Sequence, residues 1–192
     1  MNIIAVGPLT NIAIALLKYD DLYKYIEKIT IMGGSTGVGN VRPYSEFNIY
    51  VDPFAADVVF KSGVPVTMVG LNVTMETVLT PDLVTDLKTV DSRVNKEVSM
   101  LLDHMANTYK RFGYDFVAVH DALTVASVIN PEVLECKDFY VTVETRKGLN
   151  EGRTVVDLDR SHRKKALNAS VAVKGNTELF LDMLKQMMRY YQ

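Results

Sequence analysis

The chain has 192 residues, 48% hydrophobic and 23% charged, which is the length and material of one packed globular domain and excludes disorder as the main state. Its 21 Lys and Arg against 23 Asp and Glu leave a formal charge of -2, too weak a field to hold a phosphate backbone or an anionic membrane, so neither nucleic acid nor membrane is an expected partner. Cys136, the only cysteine, excludes an internal disulfide and, with three scattered histidines, a thiolate zinc site; a reducing cytoplasm is the expected location.

Asn2 to Val6 is a short apolar run closed by Gly7-Pro8, and apolar residues recur at helical spacing from Leu9 to Tyr19, which predicts strand, turn and helix. A short helix is predicted over Asp21 to Ile26 and a buried strand over Lys28 to Met32, stopped by Gly33-Gly34. From Gly33 to about Tyr50 the composition predicts one long loop, and loops of that length inside compact domains usually carry function. Asp52-Pro53 combines an N-cap residue with proline at the first helical position and opens a helix to about Ser62. A buried strand over Val64 to Gly70 follows, then a helix from Thr80-Pro81-Asp82 to Lys88 and the longest helical pattern, Asp91 to Phe112.

Val117 to Val119 reads as a strand running into His120-Asp121, and Ala122 to Ile129 as a helix stopped by Asn130-Pro131. Strands are expected at Phe139 to Thr145, Thr154 to Leu158 and Ser170 to Val173, and a closing helix at Thr177 to Tyr191. Alternation of strands and helices over the first two thirds predicts an α/β fold: an open, mainly parallel, Rossmann-like sheet flanked by helices, with a late antiparallel hairpin, in one domain over 1–192. In such sheets ligands bind beyond the carboxyl ends of the strands, where Gly7-Pro8, Gly33-Gly34, Gly70-Leu71 and His120-Asp121 are expected to fall.

The glycines of residues 33–39 match neither the dinucleotide nor the P-loop spacing, and no helix starts directly after them to meet a phosphate. Downstream, Asn40, Glu46 and Asn48 surround Phe47, a mixture of hydrogen-bonding groups and one aromatic that suits a polyhydroxylated ligand such as a sugar; the same residues also suit turns that satisfy their own backbone. Asp121 fits the N-cap of the helix from Ala122, or, with His120, a hydrolytic pair in which the carboxylate binds a hard cation and the imidazole donates a proton. Met32 and the other methionines read as core filler, and Tyr109, Phe112 and Tyr114 as a lid or as packing.

Four blocks, in this order, resemble the inosine-uridine preferring nucleoside hydrolases, calcium-dependent N-ribohydrolases of open α/β fold. They are Val6-Gly7-Pro8-Leu9-Thr10-Asn11-Ile12-Ala13; Ile31-Met32-Gly33-Gly34 through Gly39-Asn40 to Glu46-Phe47-Asn48 and Asp52-Pro53; Val66-Thr67-Met68-Val69-Gly70-Leu71; and His120-Asp121-Ala122. The resemblance extends to the hairpin around Gly152 to Asp157 and so runs over essentially the whole chain. It implies that Asn40, Glu46 and Asn48 hold ribose hydroxyls with Met32 and Phe47 against the sugar. It further implies that Asp121 and the main-chain carbonyl of Val6 are calcium ligands, and that His120 is the acid for the departing base of a ribonucleoside.

The resemblance also implies an aspartate-rich turn, Asp-x-Asp-x-x-x-Asp-Asp, near the start of the protein, and the 192 residues contain none. The chain is therefore expected to be an N-terminally truncated form, with calcium weak or absent in the chain alone and activity dependent on that segment. A homo-oligomer or an association with such a segment is the expected assembly. The competing expectation is a ribose- or nucleoside-binding remnant without turnover.

Overall fold

The computed structural model describes residues 1–159 and 165–191. In chain order the elements are β1 (Asn2–Ala5), α1 (Thr10–Lys18), β2 (Lys28–Met32), α2 (Phe47–Val51), α3 (Pro53–Lys61), β3 (Val66–Val69), α4 (Leu71–Thr74), α5 (Pro81–Lys88), α6 (Asn95–Arg111), α7 (His120–Ile129), β4 (Leu134–Phe139), β5 (Val141–Val143), β6 (Thr154–Val156), β7 (Ala169–Gly175) and α8 (Thr177–Tyr190), with 3₁₀ turns at Leu22–Tyr25 and Pro131–Val133. The fold class is the expected one, a mainly parallel sheet flanked by helices plus an antiparallel hairpin.

The chain divides into two compact units, Met1–Val73 with Leu134–Lys174, and Thr74–Val133 with the chain from Gly175 on. The first holds the sheet, in the order β1-β2-β3-β7-β4. β1, β2, β3 and β7 pair in parallel, with Ile4 opposite Thr30, Thr30 opposite Thr67 and Thr67 opposite Ser170. The residues between these in sequence, Ile29 and Ile31, Val66 and Met68, Ala169 and Val171, share the other face and pack with Ala56, Val59 and Phe60 of α3 into the core. α3 starts where the sequence signals placed it: Pro53 sits in its first turn and the Asp52 carboxylate accepts from the Ala55 amide at 3.0 Å and from the Thr10 hydroxyl at 2.6 Å. The hairpin pairs Val141 with Val156 and Val143 with Thr154.

In the second unit Thr80 caps α5, the side chain accepting from Leu83, and Leu79, Leu87, Leu102, Val117 and Met188 lie in its core. No described helix is long and apolar enough to cross a membrane.

Four local expectations are corrected. The stretch 33–50 is not loop throughout, because α2 begins at Phe47. A one-turn helix, α4, follows β3 where none was expected. Val117 to Val119 forms no strand of the sheet; Val117 makes an isolated antiparallel bridge with Leu79. The strand β4 was absent from the prediction because its middle, Glu135-Cys136-Lys137-Asp138, is polar; at the sheet edge those side chains are exposed and only Leu134 and Phe139 are buried.

Candidate functional site

The first cluster grows from the end of β2. Beyond Met32 the chain turns through Gly33-Gly34, and Gly34 adopts φ +74°. A Cβ at Gly34 would lie 2.8 Å from the Thr154 methyl and 2.9 Å from its hydroxyl, so glycine is required by both conformation and space. The close approach has a purpose: the Thr154 hydroxyl accepts from the Ser35 amide at 2.9 Å and donates to the Ser35 carbonyl at 2.7 Å. On the other side the Gly33 amide bonds the Val69 carbonyl, and the Leu71 amide bonds the Gly34 carbonyl. The glycine turn is held between β3 and the hairpin.

Glu46 is buried at 2% exposure and its carboxylate caps α2. Oε1 accepts from the Asn48 amide at 2.9 Å, and Oε2 from the amides of Gly34 at 3.0 Å and Ile49 at 3.2 Å. A five-residue helix cannot satisfy its own first amides, and a carboxylate at its start supplies the acceptors. Asn48, also buried, donates from Nδ2 to the Met32 carbonyl at 3.0 Å and to its sulfur at 3.4 Å. Among the described residues nothing donates to its Oδ1. Asn40 is exposed and accepts on Oδ1 from the Phe47 amide at 2.9 Å. Phe47 is half-exposed, whereas Met32 is buried. The structure therefore joins Met32, Asn40, Glu46, Phe47 and Asn48 in one hydrogen-bonded network. Val6, one residue past β1, is exposed.

The second cluster lies at the start of α7. The helix begins at His120, with Val119 in the capping position and no side-chain cap, so the N-cap alternative for Asp121 is overturned: Asp121 is already inside the first turn. It is exposed to solvent, yet partial burial raises its carboxyl above the usual aspartate value. His120 is half-buried and both ring nitrogens are engaged, Nδ1 with the Thr74 hydroxyl at 2.7 Å and Nε2 with the Tyr109 hydroxyl at 2.9 Å. Burial pushes the imidazole below its ordinary value. Tyr109 donates to the Ala118 carbonyl at 3.3 Å and packs with Tyr114 and Phe116. Its phenol is pushed up, first by burial and then by Tyr114.

Sequence reading missed Thr74 and Thr154. Neither carries a local signal, because each acts on a partner far along the chain, 46 and 119 residues away. Among the described residues no group of three or more His, Cys, Asp or Glu is gathered where a metal ion would be held. A calcium ion takes six to eight oxygens, so the described residues do not by themselves fit one.

A family model described as inosine-uridine preferring nucleoside hydrolase matches residues 1–182. A pyrimidine-specific ribonucleoside hydrolase, RihA, of Shewanella oneidensis is 39% identical over 193 residues, covering 100% of this chain and 60% of that protein. The protein of the same description from Klebsiella pneumoniae is 36% identical, covering 100% and 62%. Among solved structures, a purine-preferring ribonucleoside hydrolase from Gardnerella vaginalis superposes with a TM-score of 0.87 at 32% identity, over 99% of this chain and 60% of that one. A plant nucleoside hydrolase does so with a TM-score of 0.89 at 28% identity, over 98% and 61%. The chain thus spans about 60% of the length of the curated relatives it matches.

Proposed function

We infer, since this chain belongs to the inosine-uridine preferring nucleoside hydrolase family, that the protein it represents hydrolyses the N-glycosidic bond of a ribonucleoside to ribose and free base. The observation that carries this is the network around Glu46. A sugar is recognised by fixed hydrogen-bonding groups beside an apolar surface, and here backbone amides bound to one buried carboxylate fix Asn48 and the start of α2. Asn48 gives Nδ2 to Met32, which orients its Oδ1 as an acceptor for a hydroxyl proton. Asn40 accepts on Oδ1 from the Phe47 amide, which leaves its Nδ2 as a donor to a hydroxyl oxygen. Glu46 sets the position of Asn48, is proposed with Asn40 and Asn48 to hold the ribose hydroxyls, and contributes negative charge near the ring, where an oxocarbenium-like transition state gains positive charge. Met32 and Phe47 are assigned to the apolar side of the sugar.

His120 is the proposed acid toward the departing base. Asp121 and the Val6 carbonyl stay the proposed calcium ligands on the strength of the family resemblance; because the described residues alone do not fit the ion, no step is derived through it. A cytoplasmic setting belongs to the same proposal, supported by a single cysteine in 192 residues. Base preference is left open, since the similar proteins named above include pyrimidine-specific and purine-preferring ones.

A second reading, ribose or nucleoside binding without turnover by these residues alone, is favoured by the lack of a three-group metal cluster among the described residues. The two are separated by measuring ribose release from uridine and inosine, with calcium, by the chain alone and co-expressed with a polypeptide bearing an Asp-x-Asp-x-x-x-Asp-Asp turn. Release by the pair that is abolished in Asp121→Ala supports the hydrolase. Ribose binding with no release under either condition supports the second reading.

A further inference from the structure

We propose that Thr74 is a positioning residue that fixes the tautomer of His120, donating its hydroxyl proton to Nδ1 and so keeping the ring's own proton on Nε2. The inference rests on the role of His120 proposed above. Three donors compete for acceptors in this part of the second unit: the Thr74 hydroxyl, the single N–H of a neutral imidazole and the Tyr109 hydroxyl.

With the proton on Nε2 every donor has an acceptor. The Thr74 hydroxyl donates to Nδ1 at 2.7 Å, Nε2–H donates to the Tyr109 oxygen at 2.9 Å, and the Tyr109 hydroxyl donates to the Ala118 carbonyl at 3.3 Å. With the proton on Nδ1 the Thr74 oxygen becomes the acceptor, and its own proton has no other acceptor among the described residues. Thr74 is 1% exposed, so water does not replace that partner, and a buried donor left unpaired is disfavoured. Tyr109 would in that case also have to turn from the Ala118 carbonyl to Nε2.

The neighbourhood is anchored on both sides. Thr74 ends α4, and the backbone of His120 is tied into α7 through its carbonyl, which accepts from the Thr124 hydroxyl at 3.1 Å. The consequence concerns the chemistry a departing base would meet. Its heteroatoms are acceptors that gain negative charge as the glycosidic bond breaks, and a ring locked as Nε2–H carries on that nitrogen a donor, resting on the Tyr109 oxygen, that can turn to such an acceptor, where the other tautomer carries a lone pair.

The test is the ¹⁵N spectrum of the His120 imidazole in the ¹⁵N-His-labelled 192-residue chain. It is recorded on the alkaline side of the ring's titration and assigned by comparison with His120→Gln. The expected wild-type result is a bare Nδ1 and a protonated Nε2. Thr74→Val, similar in size but without the hydroxyl, is expected to move both nitrogen signals toward each other as the two tautomers mix, and Thr74→Ser to restore the wild-type pattern. A wild-type ring protonated on Nδ1 overturns the proposal, as does an unchanged pattern in folded Thr74→Val. If Thr74→Val does not fold, the wild-type and Thr74→Ser spectra decide. The spectrum is read without turnover, so its outcome is independent of whether the protein is a ribohydrolase.

Discussion

The two clusters of candidate functional residues are built in opposite ways. Around β2 and α2 the side chains are fixed by backbone: Glu46 accepts amides, Asn48 donates to a carbonyl and Asn40 accepts an amide. At the start of α7, His120 is fixed by two other side chains, Thr74 and Tyr109. Most of these backbone partners belong to β2 and α2, Met32 to the strand and Phe47, Asn48 and Ile49 to the helix, so the first cluster is tied to those two elements. Side-chain hydroxyls carry a direction of their own, so in the second cluster the ring's proton is placed by where Thr74 and Tyr109 donate. A cradle of backbone partners suits recognition of a sugar, and hydroxyl partners that set one tautomer suit a group that must present a proton.

That contrast is broken most severely by Glu46→Ala, which leaves three buried amides without their acceptor and is expected to lower stability by on the order of 3–5 kcal/mol. Urea unfolding of the two chains measures it, and a loss under about 1 kcal/mol would show that the network is not what holds the loop. A smaller and reversible effect is expected at His120. Its value is depressed by burial in the folded chain, so the unfolded state binds more protons and stability rises with pH. The contribution is fully present above the unfolded value of about 6.5 and is lost as pH falls from there through the lower folded value. Urea midpoints across that window should fall as pH is lowered, and His120→Gln should flatten that fall. The smallest effect belongs to Phe47→Ala. The ring is 52% exposed, so stability should change by no more than about 0.5 kcal/mol, while ribose affinity falls.

Much of the fold was legible because its elements carry their own signals. Asp52-Pro53 and Thr80-Pro81 announce α3 and α5, and in both the capping side chain accepts the amide that the motif requires. The buried strands β2 and β3 follow from continuous apolar runs. α2 was hidden because its cap is Glu46, a residue type with no strong capping preference, and because the Gly34 amide it also holds lies 12 residues upstream. β4 was hidden because an edge strand tolerates polar side chains on both faces. In the candidate site, Asn40, Glu46, Phe47 and Asn48 were legible as a group because they are neighbours in sequence, and their partner Met32 only through the family pattern. The environment of His120 was not legible: Thr74 is an ordinary threonine until folding brings its hydroxyl to Nδ1.

The central claim, that the network around Glu46 is a ribose cradle, is tested most directly by titrating ribose into the intact chain and following backbone amide shifts. The account predicts saturable shifts centred on Gly34, Phe47 and Asn48, lost in Asn48→Leu while the remaining spectrum stays that of a folded chain. Shifts centred elsewhere, or shifts at Gly34 and Phe47 that persist unchanged in Asn48→Leu, would contradict it.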